Sequence, residues 1–196
     1  MIKGQRTRAL ILDEAVALAS QVGLEGLSIG SLAERLGLSK SGLFSHFGSK
    51  EDLQVLTLQQ TQRLFKQDVF GPALTEPLGL PRLRRLFSNW LAWLEHDRPG
   101  GCPMLAASVE YDDRPGAVRE LLVAGQRELR GAIAKAIRQA IDAGQLAPQT
   151  DPWQIAFEMI GIVLVMHHDR RLLGDARSSA RARDAFERLI QAARPV

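Results

Sequence analysis

One cysteine in 196 residues leaves no partner for an intrachain disulfide, so disulfide scaffolds are excluded and the chain reads as cytoplasmic. Aromatic residues are scarce at 6%, with a single tyrosine, while Leu, Ala and Arg abound; that balance favours helices over sheets. Long apolar runs are missing too. The longest, residues 159–166, spans eight positions, against the roughly 20 that a membrane span requires. Two apolar patches near the start, residues 9–12 and 15–19, are split by Asp13 and Glu14, so neither makes the core of a secretory signal. No excess of one charge stands out: a formal net charge of +3 is too small to prove an acidic partner. There is also no phosphate-binding glycine loop, nucleophile elbow, ordered Ser/His/Asp spacing or metal-ligand series. An enzyme is therefore the weaker class of reading. What is present, 45% hydrophobic and 24% charged residues, is the balance of a globular chain able to bury a sizeable core.

Helical periodicity runs through the whole chain. Leu12, Ala15, Val16, Ala19 and Val22 form one stripe over residues 7–22, and Gly23 stands where that helix would stop. Ser28 precedes Ile29, Leu32, Ala33 and Leu36, a short second helix closed by Gly37. Ser39 opens a third, with Leu43 and Phe47 on its inner side. A fourth starts at Ser49, where Ser49-Lys50-Glu51-Asp52 has the form of a capping box, and runs to about Val69. Residues 71–81 hold Pro72, Pro77 and Pro81 and make the clearest break. Beyond it, Leu83, Leu86, Phe87, Trp90, Leu91 and Leu94 make a further stripe. Residues 98–103 form a turn, and a short apolar helix follows through Met104 and Val109. A long helix after Asp113-Arg114-Pro115-Gly116 ends at Gly144; Asp151-Pro152 caps another, and residues 180–193 form an amphipathic last one. No stretch alternates as a strand does. The fold predicted is all-α, with about nine helices.

Residues 28–50 carry the most specific local pattern. Two helices that cross steeply through a short turn need a small residue at the crossing, here Ala33. They need a residue tolerant of positive φ in the turn, here Gly37, and an apolar side chain pointing back from the second helix, here Leu43. That spacing fits a helix-turn-helix whose second helix enters a DNA major groove. Ser28, Ser39 and Ser49 would begin helices whose N–H groups suit phosphates, with Lys40, His46 and Lys50 adding charge or hydrogen bonds, and with Arg6 and Arg8 just ahead of the first helix. Ser41, Gly42, Phe44 and Ser45 face away from Leu43 and Phe47 and are free to meet base edges. Gly42 costs a helix about 1 kcal/mol relative to Ala, which close approach to DNA would explain.

The segment resembles the N-terminal domain of the TetR family of bacterial transcriptional regulators, strongly over residues 5–55. A serine, an aromatic residue, a phenylalanine and a lysine of the family pattern fall on Ser39, Phe44, Phe47 and Lys50, with Gly48-Ser49 filling the last gap. In one departure the family usually has Tyr where this chain has Phe44; without the hydroxyl, Phe44 is expected to pack on a sugar or a thymine methyl. The resemblance implies a helix-turn-helix DNA-binding domain over residues 1–48 and a helical effector-binding and dimerisation domain over 49–196, with the helix of residues 49–69 connecting them. It also implies a homodimer joined by the last two long helices.

Residues 152–173 are apolar almost all round, so this helix should be buried on more than one side. Its own core would take one face and a second subunit the other, with Ile155, Met159, Ile162, Met166, Phe186, Leu189 and Ile190 at the interface. Glu158 interrupts the run and needs solvent or a partner. Trp90, Trp93, Met104, Phe157 and Met166 are candidates for an apolar effector pocket. Cys102 reads first as a small buried residue and only second as a sensor thiol. The adjacent His167 and His168 point about 100° apart and make a poor metal pair, and helix capping explains Glu110, Asp112 and Asp113 better than a metal does. The expectation is a ligand-responsive repressor that binds a palindromic operator as a homodimer and is released by a small apolar molecule, with no catalytic residue, cofactor, metal or membrane partner. A DNA-binding adaptor that senses nothing, and less so a helical enzyme, are the rivals.

Overall fold

The computed structural model describes residues 3–95 and 100–195. Among them lie nine helices and no strand: α1 (Lys3–Gly26), α2 (Ile29–Leu36), α3 (Lys40–Phe47), α4 (Lys50–Phe65), α5 (Leu80–Glu95), α6 (Pro103–Glu110), α7 (Ala117–Asp142), α8 (Pro152–Leu172) and α9 (Ser178–Ala192). No helix among the described residues is long and apolar enough to cross a membrane. Residues 98 and 99 of the turn expected before Cys102 lie outside the described residues.

Helix starts follow local chemistry. Pro103 and Pro152 take first positions, where a missing N–H costs nothing, and Asp151 Oδ1 accepts the Trp153 N–H at 2.8 Å. Two boundaries differ from expectation. α1 begins at Lys3, so Arg6 and Arg8 lie within it rather than ahead of it; the side chain of Arg6 is outside the described residues. Of the expected stripe on α1, Ala15, Val16 and Ala19 are buried; Ile11 and Leu18 are buried beside them, Leu12 is half-buried and Val22 is exposed. Apolar residues stand side by side at 11–12, so periodicity alone does not choose between neighbouring phases. The break expected from residue 71 is shorter, because a π-helical turn, Lys66–Phe70, and one more turn, Gly71–Ala73, prolong α4. Pro72 cannot donate to the carbonyl four residues back and its ring crowds it; the rod widens just before that point.

The chain forms two compact units, residues 1–64 with 97–125 and residues 65–96 with 126–196. In the first, Ile11, Leu24, Leu27, Leu32, Leu43, Leu53 and Leu58 close a core that Ala107 of α6 and Val118 and Leu122 of α7 complete. Each fully buried leucine contributes about 1.5–3 kcal/mol. In the second, Phe87 of α5 stacks on Phe186 of α9 with ring centres 4.0 Å apart. Arg84 grips Glu187 with two hydrogen bonds of 2.9 and 2.8 Å, which hold the Glu187 carboxyl below its ordinary range.

Helix α8 carries two apolar stripes. Ile155, Ala156, Met159, Ile160, Val163 and Met166 are buried, whereas Trp153, Phe157, Leu164, Val165 and Leu172 are exposed. This corrects the expected interface. Ile155, Met159, Met166, Phe186 and Ile190 point into the chain's own interior, and Ile162 and Leu189 are half-buried. A helix apolar all round has no periodicity to reveal which stripe faces inward. Glu158 accepts from Gln154 at 2.8 Å.

Candidate nucleic-acid interface

The starts of α2, α3 and α4 shape the head, and their caps are local. Ser28 Oγ accepts the Ser31 N–H at 3.0 Å and Ser31 Oγ accepts the Ser28 N–H at 3.2 Å, a complete capping box at the start of α2. Ser39 Oγ accepts the Gly42 N–H at 3.1 Å. Ser49 Oγ accepts the Asp52 N–H at 3.0 Å and donates to Asp52 Oδ2 at 2.7 Å. The Ser49 N–H goes to Phe47 O instead, so the box expected there is closed through side chains only. All three serines thus satisfy helix N–H groups themselves.

The turn between α2 and α3 depends on Gly37, at φ 64, with its N–H on Glu34 O and the Leu38 N–H on Ala33 O. Those two bonds make a Schellman stop, and the left-handed backbone that they need is cheap only for glycine. Ala33 and Leu43 are buried at the crossing, as the spacing requires.

With Leu43 and Phe47 buried, α3 turns the rest outward. Lys40, Ser41, Gly42, Phe44, Ser45 and His46 are all exposed, Phe44 at 55%. A large aromatic ring left in water on an eight-residue helix is the least economical feature of the free head. Ser45 Oγ donates to Gly42 O at 2.7 Å, leaving its lone pairs open. Gly42 has a nearer explanation than contact with DNA, because a Cβ there would stand 3.0 Å from the capping Ser39 Oγ. Lys40, Ser41, Phe44 and Lys50 gather with Ile29 and Gly30 around one open depression of about 480 Å³. The Lys40 stem lies over Gly30, where a Cβ would come within 3.4 Å of Cε. A concave strip lined by two ammonium groups and an apolar ring suits a phosphate-sugar backbone and a base edge.

One partner of this strip was not foreseen. Lys50 Nζ stands 3.1 Å from Glu25 Oε1, at the end of α1. Glu25 also accepts from the Tyr111 hydroxyl at 2.8 Å, and these bonds hold its carboxyl below the ordinary range. Burial and the same carboxylate push the Tyr111 hydroxyl upward. The two residues are 86 positions apart, and no local pattern links them.

Of the expected effector residues, Trp90 and Trp93 share one aromatic group. Trp90 and Trp93 are buried in the second unit, edge-on to Phe65 at 5.7 and 5.5 Å, and Phe65 also meets Phe70 of the π turn at 5.9 Å. Met166 lines a groove of about 490 Å³ between α8 and α9. Phe157 is 69% exposed on the outer stripe of α8, and Met104 packs half-buried on the core of the first unit. Cys102 is buried, and among the described residues no His, Cys, Asp or Glu group is placed to hold a metal ion. Glu110 and Asp112 accept backbone N–H groups.

Residues 11–54 match the family described as bacterial regulatory proteins, tetR family, and residues 79–186 match the tetracyclin repressor-like C-terminal domain. The fold is similar to that of a TetR-family transcriptional regulator from Cytophaga hutchinsonii (TM-score 0.86, 22% identity, 100% of this chain and 98% of that one). It is also similar to a TetR transcriptional regulator from Chloroflexus aurantiacus J-10-FL (TM-score 0.84, 26% identity, 97% and 96%). A third likeness is AibR, solved in complex with isovaleryl coenzyme A and operator DNA (TM-score 0.75, 23% identity, 93% and 98%). In sequence the chain is 39% identical over 51 residues to the HTH-type transcriptional regulator AcrR of Shigella flexneri; the match spans 26% of this chain and 24% of that relative.

Proposed function

Because this chain belongs to the TetR family of bacterial regulatory proteins, we propose that it is a transcriptional regulator that binds a palindromic operator as a homodimer and lets go when a small molecule binds. The observation that carries the reading is α3: Ser41, Phe44 and Ser45 stand clear on the face opposite Leu43 and Phe47, flanked by Lys40 and Lys50. Lys40 and Lys50 take phosphates, and the helix N-termini at Ser28 and Ser39 support them. Ser41, Gly42 and Ser45 face the base edges. Phe44 rests on a sugar or a thymine methyl, and His46 adds a contact to the backbone. Such a regulator works in the cytoplasm, where its operator lies.

Dimerisation falls to the outer stripe of α8, Phe157, Leu164 and Val165, together with Ile162 and the groove against α9. An apolar stripe this long, left in water, needs a cover, and a two-fold axis lets the same stripe cover itself. Effector binding falls to the second unit, at the aromatic group of Phe65, Phe70, Trp90 and Trp93. The π turn of residues 66–70 borders that group, and such turns recur at functional sites. In sequence the π turn follows directly on α4, the helix that Lys50 opens. Release follows from differential affinity: the effector prefers the dimer whose heads do not fit the operator, and binding is reciprocal. Four aromatic rings in contact favour an apolar or amphipathic effector such as a fatty-acyl compound.

The test is one titration with two readouts, on protein carrying Trp153→Phe to remove the exposed indole. Apolar acids and acyl esters should quench Trp90 and Trp93 and weaken operator binding in parallel, by about 5–150-fold. Quenching without any change in operator affinity would contradict sensing, because equal affinity for both states shifts nothing.

A further inference from the structure

The turn that ends α1 and the segment after α6 hold each other by two carboxylates. Glu110 Oε2 accepts the N–H groups of Leu24 and Glu25, both at 3.0 Å. Gly23, at φ 76, makes room for this, since a Cβ on it would collide with Glu110 Oε1. Glu25 returns the grip. Its Oε2 accepts from Tyr111, and Arg114 Nη1 stands 3.5 Å from the same oxygen, with its guanidinium 5.6 Å from the Tyr111 ring centre. Only Oε1 is left, and Lys50 occupies it. Lys50 also lines the depression beside Lys40, Ser41 and Phe44. The Glu25 and Lys50 side chains are each about half exposed, so their ion pair adds little to folding. What it does is fix the ammonium at one place.

We propose that Glu25 is a positioning residue of the DNA face: it competes with operator phosphate for Lys50, and the segment of Glu110, Tyr111 and Arg114 holds it in position to do so. The competition rests on the operator contact proposed above for Lys50. A phosphate that takes Lys50 must displace the Glu25 carboxylate or tolerate a like charge beside it, and either lowers affinity. Tyr111 and Arg114 aim the carboxylate by occupying its other oxygen, so a shift of that segment changes how firmly Lys50 is withheld. The device makes a head that binds its operator less tightly than its cations allow, and that the 110–114 segment can adjust.

The experiment compares operator affinity for wild type, Glu25→Gln, Lys50→Ala and the double variant, with thermal melts to verify folding. Glu25→Gln should bind about two- to fivefold tighter at low salt, the range of an exposed ion pair, and the gain should shrink as salt screens the charges. In the Lys50→Ala background the gain should vanish. Tyr111→Phe keeps the carboxylate but loosens its aim, so it should bind tighter than wild type by less than Glu25→Gln, and this gain too should vanish in the Lys50→Ala background; a purely structural clasp would weaken both variants. A wild type without operator affinity at any salt overturns the operator reading itself. A wild type that binds, with Glu25→Gln neutral or weaker, with a gain that survives Lys50→Ala, or with Lys50→Ala harmless, overturns the competition alone.

Discussion

Val165→Asp should turn the dimer into monomers and abolish tight operator binding. Val165 is 60% exposed in the isolated chain, so the change costs its fold little, about 0.5 kcal/mol or less. In a two-fold interface formed by this stripe each copy would bury its own aspartate. An uncompensated buried charge costs about 3–5 kcal/mol. Even one such cost weakens dimerisation by more than a hundredfold, and two exceed ten-thousandfold. Sedimentation at micromolar concentration checks it: a dimeric wild type beside a monomeric, well-folded variant is expected. Val165→Asp that stays dimeric at nanomolar concentration would place the interface elsewhere.

Leu43→Ala should cost the head about 2–5 kcal/mol, a large part of the 5–15 kcal/mol that holds a typical domain together. Leu43 is fully buried and ties α3 to α2. An eight-residue helix is too short to persist alone, so losing that tie releases α3 along with Ser41, Phe44 and Ser45. Operator affinity should therefore fall further than for any single exposed substitution on α3, while the second unit keeps its helices. Urea unfolding followed by circular dichroism, paired with operator titration, measures both. A loss below about 1 kcal/mol would mean that α3 is held by something other than its packing.

How well the sequence could be read varied with the range of the interaction. The caps at Ser28, Ser39 and Asp151 and the stop at Gly37 were legible, because each depends on a side chain within three residues of the backbone that it serves. The outward set of α3 followed from Leu43 and Phe47 for the same reason. Phase blurred where apolar residues were too many: α1 buried Ile11 and Leu18 beside the expected Ala15, Val16 and Ala19, and α8 hid Met159 and Met166 while leaving Phe157 in water. The glycine at position 42 is accounted for by its own cap, since a Cβ there would crowd Ser39 Oγ, so it carries no message about DNA. The prolines of residues 71–81 overstated the break, since a π turn lets the rod continue past residue 70. The Glu25 grip was not legible, because Tyr111 and Arg114 come from a segment far along the chain and nothing near Glu25 advertises them.

The most direct measurement is selection of duplexes from a randomised pool by the purified protein at physiological salt, followed by titration of the winners. The expected winner is an inverted repeat whose half-sites place two α3 helices in successive major grooves, roughly 34–36 Å apart. Its affinity should fall steeply with salt; Lys40→Ala should weaken all duplexes about equally, and Ser41→Ala should change the preferred bases. Recovery of no shared sequence, with selected and random duplexes bound equally well, would contradict a regulator that reads an operator.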